Sequence, residues 1–125
     1  MMPPTMAGWN LALRFGLEVA ALAGLAAWAW RSTDGVARWP AVIAVPVAAM
    51  LAWTLFNVPD DPSRSGGAPI EVSGWLRLTI ELAILGLGAV AAAVQGPLWL
   101  GATVGALTIA HYLASIARLD WLLQH

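Results

Sequence analysis

The chain has 125 residues, of which 60% are hydrophobic and only 10% are charged, and its mean hydropathy is +0.75. A soluble domain carries charge on about a quarter of its residues, so this composition excludes an ordinary soluble protein and predicts an integral membrane protein. The formal net charge is −1 and the sequence contains no basic run, which argues against nucleic-acid binding. The lack of cysteine excludes disulfides and thiolate metal sites.

The first predicted membrane span runs from about Gly8 to Trp30, which is long enough to cross a bilayer core. It is too long for the apolar core of a signal peptide and no basic region precedes it, so we treat it as a permanent span. Pro40 opens the second predicted span, which runs to about Asn57 and contains Pro46, where we expect a kink.

A linker rich in proline, glycine and serine covers residues 58–73 and separates two halves of the chain. Ser73 is the expected N-cap of the third span, which ends near Gln95. Pro97 then opens a fourth apolar segment that we expect to continue to about Gln124. Such a helix is longer than the hydrocarbon core, so we expect its last turns to emerge into the membrane interface.

These segments predict an all-α fold, in which a polytopic membrane protein forms a four-transmembrane-helix bundle from two repeated helical hairpins. Residues 1–125 would form a single transmembrane domain, with repeat halves at about 8–57 and 74–124. Four spans put both termini on one side of the membrane. The distribution of arginine favours the cytoplasm for that side by a small margin.

A pattern that occurs twice is the strongest functional clue, since the segments LRFGLEVA and LRLTIELA lie inside the first and third spans. Arg14 and Glu18 in the first copy, like Arg77 and Glu81 in the second, lie four residues apart and therefore on one helix face. Charged residues inside a span commonly mark a function. The alternative is structural, with each arginine neutralising its own glutamate. Burial and a neighbouring arginine act on a carboxyl in opposite directions, so the protonation states stay open.

Helix rise places the polar side chains of all four spans in the same half of the membrane. This predicts a polar cavity that opens to one side, with an apolar floor. The candidate residues for proton, ion or acid–base chemistry are Arg14, Glu18, Arg77, Glu81 and His111, and those for ligand contacts are Asn10, Trp53, Thr54, Asn57, Tyr112 and Ser115.

His111 is the one histidine inside a predicted span. Together with Glu18 and Glu81 it could hold a divalent ion, but the chain has none of the usual histidine–carboxylate spacings. We therefore predict no metal and no cofactor, and expect His111 to bond to a glutamate or to face the cavity.

Two further features have both a functional and a structural interpretation. Trp53 lies one turn from Asn57 and could stack on a ligand, or it could anchor the helix at the interface. Residues 60–64 could form a lid above the cavity, but their composition favours a solvated turn.

The chain resembles the YrdB-like family of small four-span bacterial membrane proteins. The resemblance is carried by Asn10–Phe15 with Glu18, by Trp53, Phe56 and Pro59 followed by Pro62 and Arg64, and by Leu76 and Arg77 with Glu81. It implies a multi-pass protein of the bacterial inner membrane and brings no established activity.

Three classes of function remain open. The first is binding or transport of a small ligand or proton at Glu18 and Glu81. The second is an intramembrane enzyme, in which these carboxyls with His111 and Tyr112 perform isomerisation, cyclisation or epoxide opening on a lipophilic substrate. The third is a structural or partner-binding subunit. We place the first slightly ahead, with the lipid bilayer, a small lipophilic ligand and a second copy of the chain as expected partners.

Overall fold

Helices make up most of the computed structural model, which describes residues 3–64 and 66–125. In chain order the elements are α1 (Gly8–Ser32), a 3-10 turn (Gly35–Ala37), α2 (Arg38–Leu55), β1 (Phe56–Asn57), β2 (Ile70–Glu71), α3 (Gly74–Gln95), α4 (Leu98–Leu113) and α5 (Ile116–Leu123). Three helices are long and apolar enough to cross a membrane, and α4 with α5 would make a fourth if the bent pair is one span.

The predicted boundaries of the first three helices lie within a few residues of the observed ones. Ser73 caps α3 as expected, because its hydroxyl oxygen accepts a hydrogen bond of 3.3 Å from the Leu76 amide. Pro46 lies inside α2, which continues past it without a break. The apolar runs and the residues at their ends were therefore sufficient to locate these three helices.

The fourth apolar segment is not one helix running to Gln124, and that prediction was wrong. The axes of α4 and α5 differ in direction by 70°. The Ser115 hydroxyl donates to the His111 carbonyl oxygen at 2.7 Å, while the Ser115 amide turns to the Tyr112 carbonyl oxygen at 3.0 Å. A serine that takes the carbonyl four residues before it commonly bends a helix, and here the helix breaks.

A short pair of strands was also absent from the all-α prediction. β1 and β2 are parallel, and Phe56 is paired with Ile70 and Asn57 with Glu71. The pairing returns the chain to the end of α2 after the linker, so the linker forms a closed loop over that end of the helices.

The apolar core lies along α1, which packs against α2, α3 and α4. Its buried centre consists of Leu17, Ala21, Leu85 and Tyr112. By contrast, α2 has no buried residue and contacts α3 only slightly. The second helix is therefore a peripheral element held mainly by α1.

Small residues set the spacing between α3 and its neighbours. A methyl group added at Gly88 would lie 2.6 Å from the Ala21 side chain, and one added at Gly101 would overlap Ala93. At Gly105, one turn beyond Gly101, no atom of the described residues outside the adjacent helix backbone lies within 4 Å of the same position. Only the first glycine of the GxxxG pattern in α4 is therefore used for close packing within the chain.

We expect Gly101→Ala to lower the free energy of unfolding by about 1–3 kcal/mol, because the added methyl group overpacks the α3–α4 contact. Gly105→Ala is the matched control, and its effect should be close to zero or stabilising by less than about 1 kcal/mol. Unfolding in mixed detergent micelles measures both. Equal destabilisation by the two substitutions would show that Gly105 also lies in a packed interface.

Candidate functional site

Glu81 is the centre of a buried network of charged side chains and is itself fully buried. Its carboxylate accepts hydrogen bonds from Arg14 at 3.2 Å, from Arg77 at 2.7 Å and from Arg118 at 2.9 and 2.6 Å. The Tyr112 hydroxyl donates a further bond of 2.8 Å. A carboxylate has about four lone-pair positions, so Glu81 has no free acceptor for a ligand or a proton.

Arg118 joins this network to the linker. Its guanidinium donates to both carboxylate oxygens of Asp61 at 2.8 and 2.7 Å, as well as to Glu81. Both residues are almost fully buried. The prediction that residues 60–64 form a solvated turn was therefore wrong for Asp61, although Asp60 is exposed. The end of the fourth segment, which we expected in the membrane interface, places Arg118 inside the protein.

His111 lies behind Arg14 and bonds to Asn10 instead of a glutamate. Its Nδ1 is 2.7 Å from the Asn10 side-chain oxygen, and its Nε2 is 3.2 Å from Nη1 of Arg14. A guanidinium can only donate, so Nε2 accepts and the Nδ1 proton is donated to Asn10. The Asn10 amide nitrogen donates in turn to the Ser115 hydroxyl at 2.7 Å. This arrangement holds a neutral His111 and ties α1 to α4.

Arg77 connects the network to the end of α2. Besides Glu81, it donates to the carbonyl oxygens of Trp53 and Phe56, at 2.5 and 2.9 Å. These two carbonyl groups lie at the end of α2, where no following turn of helix supplies amide donors for them. The guanidinium carbons of Arg14 and Arg77 each lie 4.8 Å from the centre of the Trp53 ring. Trp53 therefore packs as a cation–π partner of both arginines.

A cavity of about 540 Å³ lies in front of this network, between α1, the end of α2 and the linker. Its wall is formed by Leu11, Arg14, Phe15, Glu18, Trp53, Thr54, Pro62, Ser63, Arg64, Gly66 and Arg77. We call it the polar cavity. Arg14 and Arg77 thus contact Glu81 on one side and border the polar cavity on the other.

Glu18 is the carboxylate that faces the polar cavity. Its side chain is 26% exposed, and its nearest cation is Nε of Arg14 at 3.7 Å. Arg14 makes shorter contacts with Glu81, the nearest at 2.9 Å. The expected pairing of each arginine with its own glutamate therefore holds for the second copy of the pattern and only in part for the first. Of the two glutamates, Glu18 alone is free to meet a ligand.

The predicted site residues separate into two groups. Arg14, Glu18, Trp53, Thr54 and Arg77 line the polar cavity. Asn10, Asn57, Glu81, His111, Tyr112 and Ser115 are buried away from it. A substrate in the cavity cannot reach the hydroxyl of Tyr112 or the imidazole of His111, so the geometry gives no support to acid–base catalysis by these groups.

Sequence reasoning gave Arg118 no place in the site, and it gave Asp61 and Arg64 only as part of a possible lid. A signal for the first was present, since His111, Ser115 and Arg118 follow the i, i+4, i+7 spacing of one helix stripe. Asp61 and Arg64 lie in a linker that has no periodicity, so no pattern indicates which way their side chains point.

The stability that the contact between Asp61 and Arg118 provides should depend on pH. Burial alone would raise the pKa of Asp61, but the bonds from Arg118 outweigh it and hold this pKa below its usual value. Asp61 therefore contributes stability above the pKa of the unfolded chain, about 3.9, and this contribution is lost as the pH falls through the lower folded-state pKa.

We expect Asp61→Asn to cost about 2 kcal/mol at neutral pH, and the difference from wild type to shrink as the pH falls below about 4. Unfolding in detergent from pH 7 to pH 3 measures this difference, with Asp60→Asn, at an exposed position, as the control. A gap between wild type and Asp61→Asn that stays constant over the whole range would contradict an ionised Asp61–Arg118 pair.

Comparison with known proteins identifies the family. A family model described as "Protein of unknown function (DUF2568)" matches residues 12–109. The chain belongs to the DUF2568 family. It is 41% identical over 115 residues to "Uncharacterized protein YrdB" of Bacillus subtilis (strain 168), covering 92% of this chain and 94% of that protein. The resemblance to the YrdB-like family is thereby confirmed. No solved structure matches.

The match to the DUF2568 family covers most of the residues discussed above. Arg14, Glu18, Arg77 and Glu81 all lie within the matched range, whereas Arg118 lies beyond it. The family is described as one of unknown function and brings no established activity.

Proposed function

We propose that this chain is a multi-pass membrane protein that binds a small ligand in the polar cavity. The observation that carries the proposal is the different position of the two glutamates. Glu81 holds Arg14, Arg77 and Arg118 together, while Glu18 faces about 540 Å³ of open space. A polar wall with one exposed carboxylate inside an otherwise apolar protein is the usual form of a binding site.

The proposed architecture is a bundle of four membrane-crossing helices, with α4 and α5 as one bent span and both termini on the same side. Three helices of sufficient length and a fourth, bent candidate support this number. Two repeated hairpins are supported by the equivalent positions of Arg14 and Arg77, which contact the same Trp53 ring and the same Glu81. The apolar helices together with a bacterial relative support the bacterial inner (plasma) membrane as the location.

Binding at one side is favoured over passage through the protein. At the other end of the helices, Gln95 donates to the carbonyl oxygens of Gly24 and Ala91, and its own carbonyl oxygen accepts from Arg31. These polar groups stabilise helix contacts and line none of the cavity. A path for an ion would need polar groups along its length.

Cysteine labelling tests the cavity, since the chain has no cysteine of its own. We expect Thr54→Cys, on the cavity wall, to react with water-soluble methanethiosulfonates added from one side of sealed vesicles only. The negatively charged sulfonatoethyl reagent should react about tenfold faster than the positively charged trimethylammonium reagent, because Arg64 on the wall has no carboxylate partner and gives the cavity a net positive charge.

Two positions serve as controls for this labelling. Ser115→Cys lies in the buried network and should stay unreactive. Thr103→Cys is exposed on the proposed membrane span α4 and is not on the wall of the polar cavity, so it should react with neither water-soluble reagent. An unreactive Thr54→Cys, or equal rates for the two reagents, would overturn the proposal.

A further inference from the structure

Two apolar cavities continue from the polar cavity along the helices. The first, of about 190 Å³, shares Phe15, Glu18, Trp53 and Thr54 with the polar cavity. The second, of about 480 Å³, shares Ala49 and Ile84 with the first. We call the two together the apolar groove. It begins at the charged wall and ends near Trp28.

The length of the apolar groove matches one leaflet of a bilayer. Glu18 and Trp28 are about 15 Å apart along α1 at the rise of a helix, which is half of the about 30 Å hydrocarbon core. Because α2 has no buried residue and contacts α3 only slightly, the groove between them is accessible from the side. An acyl chain could enter it from the membrane without crossing water.

Arg64 determines which ligand charge the polar cavity favours. Within the described part of the chain, no carboxylate lies within 4.0 Å of its guanidinium. Its Nη1 donates one long hydrogen bond of 3.5 Å to the Trp53 carbonyl oxygen, and its Nε has no hydrogen-bond partner. It also borders a surface depression that contains Asp60 and Glu71, but it is paired with neither.

The charges of the cavity wall and of the network behind it cancel when Arg64 is left out. Arg14, Arg77 and Arg118 are balanced by Glu18, Asp61 and Glu81 when all six are ionised. Arg64 therefore leaves one positive charge at the cavity, and Glu18 leaves one hydrogen-bond acceptor. The complementary headgroup has one negative charge and a hydroxyl donor.

We propose that the ligand is an anionic phospholipid with a hydroxylated headgroup. Its phosphate binds beside Arg64, a headgroup hydroxyl donates to Glu18, and one acyl chain lies in the apolar groove. The inference rests on the proposed function and specifies the ligand of the same site.

Native mass spectrometry of the delipidated protein in detergent tests this with three probes: palmitoyl lysophosphatidylglycerol, palmitoyl lysophosphatidylcholine and glycerol phosphate. We expect the anionic lipid to bind about tenfold more tightly than the zwitterionic one, because it has a net negative charge and a headgroup hydroxyl for Glu18, which the zwitterionic lipid lacks; tenfold corresponds to about 1.4 kcal/mol. Arg64→Gln should reduce this preference, since it removes the net positive charge of the cavity, whereas Arg64→Lys should retain most of it. Arg38→Gln, at the far end of α2, should leave it unchanged.

The apolar groove has its own matched pair of variants. Ala49→Phe fills the groove at the point where its two cavities meet and should weaken the binding of both lipids about tenfold. Ala48→Phe, at an exposed position of α2, should leave the binding of both unchanged. Thermal unfolding of each variant shows whether it is folded.

Three results would overturn the inference. If the two lipids bound equally and Arg64→Gln changed neither affinity, the binding would be the unspecific association of lipid with any membrane protein. Glycerol phosphate binding as tightly as the lipid would indicate a water-soluble phosphate compound, and the proposed function would stand without the lipid. Binding of none of the probes would remove the lipid as ligand, and the labelling of Thr54→Cys would then decide the proposed function by itself.

Discussion

Glu81→Gln is expected to lower the free energy of unfolding by about 3–5 kcal/mol, because it leaves buried arginines without their shared carboxylate. The substitution conserves the size of the side chain and changes its charge. Arg14, Arg77 and Arg118 would then face one another around a neutral amide that can accept fewer bonds. Unfolding in mixed detergent micelles at neutral pH measures the loss.

Glu18→Gln is the control for this experiment, since it is the same substitution at the equivalent position of the repeated pattern. Its one ionic contact is long, at 3.7 Å, and its side chain is 26% exposed. Contacts of this kind contribute about 1 kcal/mol or less. If the two variants lost the same stability, both glutamates would be structural, and Glu18 would no longer be the ligand-binding member of the pair.

Arg118→Met should have an effect of similar size, about 3–5 kcal/mol, for the opposite reason. It would leave Asp61 buried without a cation and remove two of the bonds to Glu81. Arg31→Met, which removes an exposed arginine with one bond to a carbonyl oxygen, should cost at most about 1 kcal/mol.

A double substitution tests whether Arg118 acts through the linker. Arg118→Met and Asp61→Asn together should cost less than the sum of their separate effects, with a coupling of about 1–3 kcal/mol. Additive losses would show that Arg118 stabilises the protein through Glu81 alone, and that the linker contact contributes nothing of its own.

Local sequence pattern predicted the helices well because their signals are local. Apolar runs, Pro40 and the Ser73 cap located α1, α2 and α3, and the spacing of Arg77 and Glu81 gave a contact that the structure contains. Each of these depends on residues within one or two helical turns. The break between α4 and α5 was missed, because a serine such as Ser115 also occurs inside helices that do not break.

The site was predicted only in part, because its decisive contacts are long-range. Arg14 has an acceptable partner four residues away, and nothing in the sequence says that it prefers Glu81, 67 residues later. That choice determines which glutamate is buried and which faces the cavity. Likewise, Asp61 lies in a turn whose composition suits solvent, and only its contact with Arg118 makes it part of the core.

The wide spacing of these partners also has a consequence for biogenesis. Domains form from the N-terminus during synthesis, so in the proposed four-span architecture Arg14 would enter the bilayer before Glu81 is made, and Asn10 before His111, 101 residues later. Until then Glu18 is the one acidic residue of α1. The carboxylate that faces the cavity would therefore be the first counter-ion of Arg14, and Glu81 would provide the shorter contact with this arginine once the third helix is inserted.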